Sequence, residues 1–163
     1  MAACAWTQTG TLWTLQTPPV AQSSPGMPAN RIVLDQIPQG AARARQVHVF
    51  SSGGNSYFAV QGMDFLPSKD GWIWATRIQQ SAHQTIQKPV GNNRSVAVPK
   101  LRLQNLLYRT TDQGQRWQTL VLPSNLNPYG PEPLDFLSAN VGYMTTTSGL
   151  YRTDNGGLTW NPA

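Results

Sequence analysis

Seven carboxylates, two histidines and one cysteine are the groups to weigh first for proton transfer or metal binding in this chain. Hydrolysis of a glycosidic bond needs two carboxylates placed across the scissile bond. Only one of the seven is a glutamate, Glu132, and it lies in the Pro-flanked run Gly130-Pro131-Glu132-Pro133. Nine arginines offer the planar fork that grips a carboxylate substrate. His48 and His83 stand far apart with no adjacent acid, whereas a metal site needs three or four converging ligands, so no metal is expected. Cys4 alone excludes an internal disulfide and a cysteine-based zinc site. There is no phosphate-cradling glycine loop, no G-x-S-x-G elbow and no Cys–His pair. The chain is therefore expected to be no enzyme and to need no cofactor.

Of the six aspartates, Asp64 and Asp135 fall at matching repeat positions, and Asp112 matches Asn155. Tyr108 to Trp117, YRTTDQGQRW, returns as Tyr151 to Trp160, YRTDNGGLTW. Upstream, Asp64-Phe65-Leu66 stands seven residues before Gly71-Trp72, and Asp135-Phe136-Leu137 stands seven before Gly142-Tyr143. Two units thus share D-F-L…G-aromatic…L-Y-R-T…G-x-x-W, and self-similarity on this scale marks a repeat architecture. Within the turn, Thr110 and Asp112 are suited to accept backbone amide hydrogens, Gly114 to take a positive φ, and Trp117 to pack across the turn. Thr153, Asn155, Gly157 and Trp160 repeat those roles, with Asn155 keeping the acceptor and losing the charge. Arg109 and Arg152 occupy matching places, which reads as a repeat feature and not a ligand clamp.

T-x-D-x-G-x-x-W resembles the Asp-box, or BNR repeat, of bacterial-neuraminidase-like β-propellers. The whole unit is similar to repeats of photosystem II stability/assembly-factor-like and sialidase-superfamily proteins. The resemblance covers residues 63 to 163. It implies an all-β, propeller-like fold of antiparallel four-stranded blades, with Thr110, Asp112, Gly114, Trp117, Thr153, Asn155, Gly157 and Trp160 as scaffold. It also implies an extracytoplasmic setting, secreted, periplasmic or at the cell surface. A sialidase-like site would need an arginine cluster, an acid and a Tyr–Glu pair, so a fragment of such a hydrolase is the alternative reading.

Three stretches carry the expected organisation. Residues 1–62 form a degenerate first blade and hairpin region, with Gly10-Thr11-Leu12-Trp13 as a worn G-x-x-W, a Pro/Ser-rich loop over 17–29, and a hairpin from Gln46–Phe50 to Ser56–Gln61. Residues 63–123 form a repeat blade with an inserted loop at 78–105, and 124–163 form a compact one, all in one domain. Trp117 and Trp160 are 43 residues apart, which leaves room for about three units, whereas closed propellers have roughly four to eight. The array is therefore expected to be incomplete or closed by assembly, including association of copies.

The 28-residue insertion from Ile78 to Asn105 holds Lys88, Arg94, Lys100 and Arg102 and no acid. Long insertions are often functional, so this one is the candidate contact for a protein or glycan partner; the alternative is a hairpin-forming decoration. The formal charge of +5 comes without a dense Lys/Arg cluster, so no nucleic-acid partner is expected. No apolar run approaches the ~20 residues of a membrane-spanning helix, and no basic region ahead of Cys4 completes a signal peptide.

Overall fold

The computed structural model describes residues 3–6, 10–16, 31–53, 56–90, 94–130 and 133–163, with side chains for all of these except 3–6 and 82–99. Among the described residues there is no helix, and the protein is all-β. Three antiparallel sheets of four strands follow one another along the chain. The first holds β1 (Ala3–Trp6), β2 (Leu12–Gln16), β3 (Arg31–Ile37) and β4 (Arg45–Ser51). The second holds β5 (Ser56–Phe65), β6 (Gly71–Val90), β7 (Arg94–Thr110) and β8 (Gln118–Val121). The third holds β9 (Leu134–Phe136), β10 (Gly142–Thr146), β11 (Gly149–Thr153) and β12 (Asn161–Pro162). Within each sheet every strand pairs with its sequence neighbour, so short turns suffice to connect them.

Three expectations are corrected. Gln46–Phe50 and Ser56–Gln61 do not form a hairpin: β4 closes the first sheet and β5 opens the second, so the first unit ends at Ser51 and not near residue 62. Alternation of apolar and polar residues marks a strand but cannot choose its partner. Ser56–Gln61 instead continues into Met63–Phe65 as one strand, with a bulge between Val60 and Gly62. The insertion at 78–105 is not a loop, because β6 and β7 pair from Gly71↔Thr110 out to Val90↔Arg94, broken by one irregularity between Gln80 and Thr85.

Gly10…Trp13 is not a worn copy of the turn motif. Trp13 lies in β2, the second strand of its sheet, and its ring stacks on Phe65 of the second sheet, 4.2 Å between centroids and 5° between planes. Trp72, in the second strand of the second sheet, stacks in the same way on Phe136 of the third, at 3.6 Å and 4°. Trp13 is therefore the counterpart of Trp72, not of Trp117. Strand register agrees: Trp13 faces Ala5, Trp72 faces Asp64 and Tyr143 faces Asp135.

The alternating side chains of the second sheet bury both of its faces. Ile73, Ala75, Leu106 and Tyr108 pack against Trp13, Leu15, Leu34 and Phe50 of the first sheet. Trp72, Trp74 and Leu107 pack against Leu134, Phe136 and Met144 of the third. Each D-F-L phenylalanine is held on two sides. The preceding sheet's Trp stacks on it, and the Trp of its own sheet's turn meets it edge-on, Trp117 on Phe65 at 6.1 Å and Trp160 on Phe136 at 6.0 Å. Gly71 and Gly142 stand opposite these rings, where a Cβ would collide with Phe65 and Phe136 respectively.

Polar groups cross the second junction as well. Trp72 Nε1 donates to the carbonyl of Gly156 (3.0 Å), and Arg109 Nη2 donates to that of Ala139 (3.0 Å) with its guanidinium over the Trp72 ring. Asp64 Oδ2 accepts the Phe136 N–H at 2.6 Å, which occupies a donor on the edge strand β9. Burial pushes the Asp64 carboxyl above its ordinary range, against the pull of the Phe136 amide. A folded-state pKa above the unfolded one favours the fold below the unfolded pKa, and that gain is lost as pH rises through the folded value. Asp64→Asn keeps the acceptor and abolishes this dependence. Asp64→Ala orphans the amide and is expected to cost about 1 kcal/mol, the low end for an unsatisfied donor. Urea melts of both variants across the acidic range check this.

Candidate functional site

The two repeated turns are built alike, atom for atom. Thr110 is the last residue of β7, and its Oγ1 accepts the Gly114 N–H at 2.9 Å and the Asp112 N–H at 3.3 Å while donating to Asp112 Oδ1 at 2.9 Å. Thr153 Oγ1 does the same with the Gly157 N–H (2.9 Å), the Asn155 N–H (3.4 Å) and Asn155 Oδ1 (3.0 Å). Asp112 Oδ1 then accepts the Arg116 N–H at 2.9 Å, and Asn155 Oδ1 accepts the Thr159 N–H at 2.9 Å. Trp117 Nε1 donates back to the Gly114 carbonyl (2.8 Å), as Trp160 Nε1 does to that of Gly157 (3.1 Å). Gly114 and Gly157 take φ of +82° and +94°, and a side chain at either would press on the preceding sheet, on Val47 at Gly114 and on Leu107 at Gly157.

The exchange of Asp for Asn comes with a matched partner. Asp112 Oδ2 pairs with Arg116 Nε at 2.8 Å, whereas Asn155 Nδ2 donates to Thr159 Oγ1 at 2.8 Å. The Arg116 side chain and backbone N–H draw the Asp112 carboxyl down to about 2. Every polar atom named here is committed to the turn itself.

Among the described residues no three His, Cys, Asp or Glu side chains come together as a metal would require. His48 lies against the rings of Phe50 and Trp117, where burial lowers its pKa. The His83 side chain and Glu132 lie outside the described residues. Arg109 reaches a backbone carbonyl and Arg152 pairs with Asp154 at 2.6 Å, so neither forms part of a carboxylate clamp. A shallow cleft between the first two sheets is lined by Trp13, Gln36, Phe65, Lys69 and Gln113.

No family model, no curated protein and no solved structure matches the chain. Its site must be read from its own geometry.

That geometry singles out the β6–β7 ribbon. β5 accompanies β6 only as far as Gln79, and β8 accompanies β7 only from Leu106. Beyond these points, among the described residues, the two strands pair with each other alone. Lys88 lies opposite Val96 and Arg94 opposite Val90 near the far end; their side chains are not among those described. Lys100 and Arg102, nearer the base, are exposed. Strand alternation puts Leu101 and Leu103 on the other side of β7, and they too are exposed, at 48% and 64%. Reading the stretch by charge alone missed these leucines, although the alternation Lys-Leu-Arg-Leu over 100–103 marks them.

Proposed function

We propose that this chain is a non-catalytic module of the Asp-box β-propeller type, which binds an anionic protein or glycan through its β6–β7 ribbon. The observation that carries the reading is the ribbon's base, where exposed Lys100 and Arg102 alternate with exposed Leu101 and Leu103. Exposed large apolar side chains gain by being covered, and cations beside them select an acidic partner and speed its approach. Insertion 78–105 contains four cations and no acid. In favour of the propeller type are three successive four-stranded meanders, with β1 beside β5 and β5 beside β9. In favour of a scaffold role for the motif residues are their hydrogen bonds, which close within each turn. The resemblance that suggests the propeller also suggests an extracytoplasmic setting.

The test uses the whole chain, against a glycan array and in pull-downs from extracytoplasmic extract. Lys100→Glu with Arg102→Glu is expected to weaken capture at least tenfold, and raising the salt should do likewise, because exposed charges are screened. A chain that captures nothing with its ribbon intact, or whose capture ignores both changes, removes the reading.

A further inference from the structure

The outward face of the third sheet repeats five motif positions of the face that the second sheet buries, though Trp74 of that buried face is matched by Thr145. The five positions of the second sheet lie at its junction with the third. Trp72 and Leu107 are fully buried there, Leu66 packs beside them, Asp64 accepts the Phe136 N–H, and Arg109 donates to Ala139. In the shared pattern D-F-L…G-aromatic…L-Y-R, their counterparts on the third sheet are Tyr143, Leu150, Leu137, Asp135 and Arg152. None of these five is buried: Leu137 is 65% exposed, Leu150 is 46% exposed, Asp135 and Arg152 are exposed, and Tyr143 is half-buried. Among the described residues, the third sheet therefore leaves open five motif positions that the second sheet covers.

The first strand of the chain has the matching register. Trp6 pairs with Leu12 as Phe65 pairs with Gly71 and Phe136 with Gly142. Ala5 faces Trp13 where Asp64 faces Trp72. Trp6 thus holds the position of the two phenylalanines on which a preceding aromatic stacks, and β1, β5 and β9 lie side by side in that order.

We propose that the face of the third sheet made by Asp135, Leu137, Tyr143, Leu150 and Arg152 docks the first sheet of a second copy of this chain, with β1 of that copy in the place that β9 takes beside β5 within one chain. Tyr143 supplies the stacking ring, and Asp135 accepts the amide hydrogen of the incoming edge strand. The contact is head-to-tail, so copies either close into a ring or continue as a filament. Two copies bring six sheets, within the roughly four to eight of closed propellers. The inference rests on the stepping of the three sheets and is independent of what the ribbon binds.

Light scattering on the whole chain over a wide range of concentration tests it. The expected result is a species of twice the 17.9 kDa chain mass, or a longer series of multiples. Leu137→Asp and Asp135→Arg change exposed side chains, so the fold is retained, which near-ultraviolet circular dichroism will verify. Each is expected to raise the dissociation constant at least tenfold, and Trp6→Ala is expected to do the same from the other side. The ribbon change Lys100→Glu with Arg102→Glu is expected to leave the mass unaltered. A monomer at every concentration overturns the inference, and so does an assembly indifferent to Leu137→Asp and Asp135→Arg.

Discussion

Trp72→Ala is expected to destabilise the protein by about 4 kcal/mol, within the roughly 3–5 kcal/mol typical of emptying a buried Trp site. The ring has no exposed surface, lies 3.6 Å from Phe136 and donates its Nε1 hydrogen to the Gly156 carbonyl. Removing it leaves a void between two sheets and an unstacked phenylalanine that Gly142 was shaped to admit. Trp72→Phe restores a stacking ring but not the donor, and should lose only about 1–2 kcal/mol, the combined scale of a hydrogen bond and partial loss of volume. A domain of this size has about 5–15 kcal/mol in all, so the alanine variant should melt early in urea. Trp13→Ala should cost a similar amount, because Trp13 stands in the same relation to Phe65. Equal penalties at the two sites would establish that one joint is used twice. A Trp72→Ala loss under 1 kcal/mol would mean that the stack does not hold the sheets together.

Replacing Thr153 by Val is the second large effect, and the swap is nearly isosteric. Thr153 is fully buried, and its hydroxyl accepts the buried Gly157 N–H. Valine fills the same space and leaves that donor without a partner, at an expected cost of about 1–3 kcal/mol. Thr110→Val should match it at Gly114, since Thr110 is 1% exposed and bonded alike. Serine at either position keeps the oxygen and should recover most of the loss. Hydrogen exchange at the Gly157 and Gly114 amides reads the effect locally. The two turns should part company in acid. The depressed pKa of Asp112 gives the first turn stabilisation that is full above the ordinary carboxylate range and is lost as pH falls through about 2. Asn155 carries no charge, so the second turn should not respond.

Much of this was legible in the chain of letters. Residues Tyr108–Trp117 and Tyr151–Trp160 announced two equivalent turns, and their Thr, Asp or Asn, Gly and Trp do the local work their chemistry suits. Three amides of each eight-residue turn are met by its own Thr and Asp or Asn side chains, so much of its structure follows from neighbouring residues, while the amides of Gln113 and Gly156 reach out to the carbonyls of Lys69 and Asn140. The first three strands of the third sheet could be read as well, from short apolar runs between turn formers.

Partner choice between strands could not be read. β4 and β5 look like a hairpin because both alternate and only a few residues separate them, yet a sheet boundary falls between them. Trp13 looks like the end of a turn motif because glycine stands three residues before it, yet packing makes it the wedge that meets Phe65. The insertion looks like a loop because its composition is polar, yet its backbone hydrogen bonds are met by the opposing strand. Sequence alone determined the all-β class, the two identical turns and the basic character of residues 78–105. Tertiary structure alone decided which sheet each strand joins, which aromatic stacks on which, and which copy of the junction face is covered. Turn chemistry is local and acts between residues a few places apart. Burial depends on what arrives from across the fold, so Leu107 and Leu150 share a motif position while one is buried and the other lies open.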